Sequence, residues 1–234
     1  MKTSNKILFI TGLVIVVMVL ASVIGSRIFL NKITNSYKRG DQNYSNIEKE
    51  YNEIIDFTGL NVTGDWDITL ISGNTFNISI NGRTEHENIY KIEKKGSTLF
   101  LTENTQPDIN RKLTAIITMP EIKEVYSKGG LKLSLNDFFE PELILNLTGG
   151  SWIDGSNCEF GNFYLTSAGA INLGFDNVLT ENAEVQLAGA GYIELNMNGG
   201  SLTGNASGAM NIEYSGNARQ EIQTAGLANI SQNK

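Results

Sequence analysis

The chain is poor in the residues that carry most protein chemistry: one cysteine, one histidine and three prolines among 234 residues. The single cysteine, Cys158, excludes a disulfide within the chain, so packing alone must hold the fold. The single histidine, His86, leaves no cysteine–histidine pattern for zinc and one candidate base for a serine triad. It sits in Arg83-Thr84-Glu85-His86-Glu87, a charged stretch that reads as an exposed loop. A basic stripe is lacking too. Eighteen Lys and Arg stand scattered against 25 Asp and Glu, a formal net charge of -7, which argues against nucleic acid as a partner. No GxGxxG opens a helical pattern, so no phosphate cradle is implied, and nothing in the chain calls for a cofactor or a metal.

Glycine, by contrast, is abundant. The 24 glycines, with many Asn, Ser and Thr, indicate short strands punctuated by tight turns. The same frequency excludes a long helix beyond the N-terminal region.

One long hydrophobic run is present. Ile7 to Ser26 is 20 residues without a charge, and as a helix it would be roughly 30 Å long, the thickness of a bilayer's hydrocarbon core. The expected organisation is a cytoplasmic tail (1–6), a transmembrane signal-anchor (7–26), a polar linker (27–53) and a β-domain (54–234). The pairs Ala21-Ser22 and Gly25-Ser26 offer cleavage points for the alternative, a removed signal peptide. No cysteine stands directly after the run, which excludes a bacterial lipoprotein anchor. Orientation is contested by two signals. Arg27, Lys32, Lys38 and Arg39 outnumber Lys2 and Lys6, which by charge would keep the C-terminal side inside. The position of the run at the extreme N-terminus is that of a signal-anchor, and long domains translocate despite local charge. The expectation is a single-pass bacterial membrane protein with its β-domain on the extracytoplasmic side.

From Ile54 the texture is that of strands. Asp67–Leu70 and Phe76–Ile80 alternate apolar and polar residues, with Ser72-Gly73-Asn74 as the turn between them. Lys91–Glu93 and Leu99–Leu101 flank Lys94-Lys95-Gly96-Ser97, and Leu113–Met119 is closed by Pro120.

After Pro120 a repeat emerges. Gly129, Gly149, Gly169, Gly189, Gly208 and Gly226 are spaced by 20, 20, 20, 19 and 18 residues. Four positions after them come Leu133, Ile153, Leu173, Ile193, Ile212 and Ile230. Four positions before them come Val125, Leu145, Leu165, Val185 and Ile222, with Gly204 the exception. A coil of about 20 residues cannot bury its own apolar side chains, so such a period calls for stacking. The dense leucine consensus of leucine-rich repeats is absent. The predicted fold is therefore all-β: a single-stranded parallel β-helix, or β-solenoid, of about 20 residues per coil, with clear repeats over 125–232. The glycines mark its corners.

The steps Ala168-Gly169-Ala170-Ile171-Asn172-Leu173, Ala188-Gly189-Ala190-Gly191-Tyr192-Ile193, Ser207-Gly208-Ala209-Met210-Asn211-Ile212 and Ala225-Gly226-Leu227-Ala228-Asn229-Ile230 carry a resemblance. So do Phe57-Thr58-Gly59-Leu60-Asn61-Val62-Thr63-Gly64 and Ile117-Thr118-Met119-Pro120. From Ile54 onward the chain resembles the bacterial putative auto-transporter adhesin head domain of the GIN type. The resemblance implies an exported single-stranded β-helix and brings no established activity with it.

Strand side chains alternate, so the neighbours of each inward residue point outward. One outer row is Lys132, Trp152, Asn172, Tyr192, Asn211 and Asn229; the next is Ser134, Asp154, Gly174, Glu194, Glu213 and Ser231. The binding candidates on this face are Trp152, Asp154, Asn172, Tyr192, Glu194, Asn211 and Glu213, which suit a sugar ring or a cation. The plainer reading of the same rows is a solvated face with an asparagine ladder. The functional expectation is a non-catalytic cell-envelope module for binding, adhesion or scaffolding. Its partners would be the membrane, through the N-terminal helix, and a glycan or envelope protein. The alternative is a glycan-cleaving β-helix enzyme using Asp154, Glu194 or Glu213.

Overall fold

Every element of the structure, a computed structural model that describes residues 46–83, 89–104 and 113–233, is a strand. The apolar segment 7–26, the polar stretch as far as residue 45 and His86 lie outside the described residues. Among those described, no helix is long and apolar enough to cross a membrane.

The strands are β1 (Asn46–Glu50), β2 (Gly59–Thr63), β3 (Trp66–Ser72), β4 (Asn77–Arg83), β5 (Tyr90–Lys95), β6 (Thr98–Glu103), β7 (Leu113–Met119), β8 (Glu124–Asn136), β9 (Phe139–Ser156), β10 (Cys158–Gly226) and β11 (Asn229–Gln232). They form one sheet, mostly parallel, that winds on itself as a β-solenoid-like fold. β8 stacks on β9 with Gly129 opposite Gly149, and β10 stacks on β9 with Gly169 opposite Gly149. The pairing therefore advances by one sequence repeat per coil. β10 is a single strand of 69 residues because hydrogen bonding continues around its corners, each coil templating the next.

The expected inward positions are buried. Leu133, Ile153, Leu173, Ile193 and Ile212 are all 0% exposed. Val125, Leu145, Leu165 and Val185 line the core beside them. Ile222 and Ile230, in the last coil, are only half-buried. Each fully buried side chain of this size contributes about 1.5–3 kcal/mol of transfer free energy. The gain accrues coil by coil, and only when a neighbouring coil covers the side chain.

The corners have two chemistries. The repeat glycines all have positive φ, from 87° at Gly226 to 138° at Gly189. The other corner uses Asp137 and Asn157 in the left-handed region, at φ 64° and 53°, with Asn157 Nδ2 donating to Asp137 Oδ1 at 2.6 Å. Short polar side chains tolerate that conformation better than other non-glycine residues. Cys158 follows this corner and is buried. Burial pushes its thiol pKa up, and its sulfur accepts the Phe138 N–H at 3.4 Å.

Parallel stacking extends beyond the visible repeat. β2 and β3 form a coil bent at Gly64, and a β-carbon on Gly129 would lie 2.4 Å from the Gly64 carbonyl oxygen. β2 and β3 are sandwiched in parallel between β8 on one side and β6 and β7 on the other. Antiparallel strands then close that end: β5 on β6, β4 on β7, and β1 on β4. The outermost strands at that end, β1 and β5, are short and rich in Lys and Glu, which blunts the edge as a template for aggregation. Ser72-Gly73-Asn74 begins the turn between β3 and β4, as expected, although β7 lies between the two strands in the sheet. One local expectation changes. The last residues of the polar stretch before Ile54 form β1. Gly96-Ser97, by contrast, turns a true hairpin between β5 and β6.

Candidate functional site

The outer rows exist as rows. Lys132 pairs with Trp152, and Trp152 with Asn172. Gly191 packs on Ile171, where a β-carbon would meet the Ile171 carbonyl oxygen at 2.0 Å, and this sets Tyr192 over Asn172. Asn211 pairs with Asn229. In the second row Ser134 pairs with Asp154, Asp154 with Gly174, and Glu213 with Ser231. The rows extend into the first coils as well, through Asp67 beside Lys132 and Thr69 beside Ser134.

The candidates divide into two groups. The first is a polar network near the C-terminal end. Asn211 Nδ2 donates to Glu213 Oε1 at 2.8 Å, and Asn233 Nδ2 donates to Glu213 Oε2 at 3.0 Å. Asn229 Nδ2 donates to Asn211 Oδ1 at 3.0 Å, and the Tyr192 hydroxyl donates to Glu194 over a long 3.4 Å. Hydrogen bonds from Asn233, Asn211 and Tyr192 hold the Glu213 carboxyl below the usual range. The Tyr192 phenol is pushed up to about 12, by partial desolvation first and then by hydrogen bonding to Glu213 and the charge of Glu194. Both shifts favour the same state, a neutral phenol beside an ionised Glu213.

The second group centres on Trp152, which is 56% exposed. It borders an open groove shared with Asp65, Lys132 and Gly150. Asp65 Oδ1 accepts the Gly130 N–H at 2.7 Å, and Lys132 Nζ lies 4.0 Å from Asp67 Oδ2. Asp154 is two residues from Trp152 on the same face, half-buried. Asp65 and Asp67 were not among the residues singled out from sequence, because they precede the visible repeat. Their signal was present in Gly64-Asp65-Trp66-Asp67-Ile68, a degenerate copy of the glycine-to-isoleucine step.

No three metal-ligating side chains converge among the described residues. The carboxylates lie along the outer rows, with amide and phenol neighbours.

The fold has known relatives. The family described as "Putative auto-transporter adhesin, head GIN domain" matches residues 56–232. Two solved structures share the fold. One is a putative adhesin from Bacteroides fragilis NCTC 9343, 16% identical, covering 81% of this chain and 97% of its own, with TM-score 0.59. The other is a putative adhesin from Parabacteroides merdae ATCC 43184, 15% identical, covering 82% and 98%, with TM-score 0.53. No curated protein matches the chain.

Proposed function

Because the chain belongs to the putative auto-transporter adhesin, head GIN domain family, we propose that it is a non-catalytic binding scaffold of the bacterial cell envelope. In this reading a single-stranded β-helix is held by an N-terminal membrane helix on the extracytoplasmic side. It presents its outer face to a glycan or an envelope protein. The observation that carries the reading is the register of that outer face, coil upon coil. Its aromatic, amide and carboxylate side chains stand in rows fixed by the coil spacing, a geometry suited to surface contact.

The glycan-cleaving alternative draws on Glu194 and Glu213, which lie in one row. A glycosidase needs one carboxyl group held protonated by a raised pKa. Glu213 is shifted the other way, by amide and phenol donors. A lyase would instead need cationic side chains to steady the negative charge that develops beside a uronate carboxyl, and Lys132 is the one cation on these rows.

The experiment pairs two measurements on the full chain in detergent micelles. Surface binding to bacterial envelope material is scored for the wild type and for Trp152→Ala with Tyr192→Ala. Release of reducing ends from a broad polysaccharide set is scored in parallel. The reading expects binding without cleavage. Cleavage that disappears in Glu213→Gln would establish the enzyme instead.

A further inference from the structure

We propose that the outer rows bind an extended, equatorially 1,4-linked pyranose chain, uncharged or amino-bearing, lying along the solenoid axis with one sugar ring per coil. This rests on the binding reading above and adds the ligand class and its register.

The argument starts from a repeat within the repeat. Trp152-Ile153-Asp154 and Tyr192-Ile193-Glu194 share one pattern: an outward aromatic residue, a buried isoleucine, an outward carboxylate. They lie two coils apart, separated by Asn172-Leu173-Gly174 in the same register. Coils stack about 4.8 Å apart, so the two aromatic residues are about 10 Å from each other along the axis. An extended chain of equatorially 1,4-linked pyranoses has a disaccharide repeat of that size. Its successive rings are turned over relative to each other, so every second ring offers the same face to a surface. Two aromatic platforms on alternate coils therefore meet two equivalent rings.

The other positions fit the same register. The exposed Trp152 offers its indole to the C–H face of one ring. The Tyr192 hydroxyl reaches Glu194, two residues on along the same strand, so its ring lies along the sheet. Asp154 and Glu194 stand beside the two platforms as acceptors for paired ring hydroxyls. The intervening ring falls over Asn172, whose amide both donates and accepts. Next to it is Gly174, where a side chain would meet nothing within 4 Å, leaving space for a ring substituent. On the other flank Gly150, Ala170 and Ala190 are exposed and short, so a linear chain can lie close to the sheet.

Charge selects among such chains. Asp67, Asp154, Glu194 and Glu213 share these rows with a single cation, Lys132. A polyuronate or sulfated chain would be repelled; neutral or amino sugars would not.

The test uses the full chain in detergent micelles and four probes: cellohexaose, a glucosamine hexamer, a 1,3-linked glucose hexamer and a galacturonic acid hexamer. Either or both of the first two should bind, with the corresponding disaccharide at least about tenfold weaker because it reaches one platform. Trp152→Ala and Tyr192→Ala should each weaken hexamer binding by at least about tenfold, whereas Trp152→Phe, which keeps a platform, should stay within a few-fold. Equal binding of the 1,3-linked or galacturonic acid hexamer would overturn the proposal. So would indifference to Trp152→Ala, or no binding of either 1,4-linked hexamer. Envelope binding that survives in Trp152→Ala would remove this ligand and leave the scaffold reading standing. Cleavage of the hexamer would remove the scaffold reading itself.

Discussion

Gly189 rests on Gly169 so closely that a β-carbon on Gly189 would lie 2.0 Å from the Gly169 carbonyl oxygen. Gly189 also has φ 138°, a conformation costly for any residue with a side chain. The clash is with backbone, which cannot swing aside. Gly189→Ala is therefore expected to destabilise the fold by roughly 2–4 kcal/mol. Gly174→Ala, where a β-carbon meets nothing, should change stability by less than about 0.5 kcal/mol. Denaturation followed by circular dichroism distinguishes them, and matching midpoints would refute the glycine column.

Core parity is tested at two adjacent residues. Ile193 is 0% exposed, whereas Tyr192 is half-buried on the outer row. Ile193→Asp would place an unpaired carboxylate in the core and should cost several kcal/mol, about 4 or more, enough to abolish folding. Tyr192→Asp should leave a folded protein. Comparable loss in both, read by near-ultraviolet circular dichroism, would mean that the strand faces are misassigned.

The boundary of the folding unit is set by β1. Residues Ser45–Lys234 form one compact unit, and β1 pairs along the outer edge of β4. A fragment beginning at Ser45 should be soluble and fully β. One beginning at Ile54 should also fold, but it would expose the β4 edge and aggregate more readily. Light scattering of the two fragments at equal concentration checks this; equal scattering would deny β1 a protective role.

Tyr192 and Glu213 titrate as partners. The phenol is held up to about 12, and the Glu213 carboxyl is held below the usual carboxylate range. A raised phenol pKa means that the folded state keeps this proton more tightly. Its stabilising effect is complete below the unfolded value near 10 and fades as pH rises through about 12. The depressed carboxyl works in the opposite direction. Its effect is present above the unfolded carboxylate value and fades as pH falls through the lower folded value. The phenolate difference spectrum between wild type and Tyr192→Phe should show one tyrosine titrating near 12. In Glu213→Gln that titration should move down toward the ordinary value. An unmoved titration would show that Glu213 is not an acceptor for Tyr192.

Orientation is a separate expectation. Protease added to intact spheroplasts should digest the β-domain and leave Met1–Lys6 protected. Full protection until the membrane is broken would place the domain in the cytoplasm, and envelope binding would fall with it.

Some of this was legible in the sequence. The spacing of Gly129, Gly149, Gly169, Gly189, Gly208 and Gly226 sets the coil length. The isoleucines and leucines four positions later set the inward face. Both were readable because every coil meets the same environment above and below, so one physical demand is written repeatedly along the chain. The outer rows followed from strand alternation alone.

Tertiary structure decided what happens once. Gly64 belongs to the glycine column, yet between Ser72 and Glu124 the chain builds β4 to β7, of which β6 and β7 stack in parallel on β2 and β3 without the glycine step, and the period is hidden. The antiparallel cap of β5, β4 and β1 has no repeat to announce it, and its partners are set by which edges remain open. Asp67 reaches Lys132 only through β3–β8 pairing, and Glu213 meets Asn233 only because the last coil brings the chain back. A period reports contacts that recur. A cap, an excursion or a single cluster depends on contacts made once, between residues far apart in the chain, and those are fixed by folding rather than by local pattern.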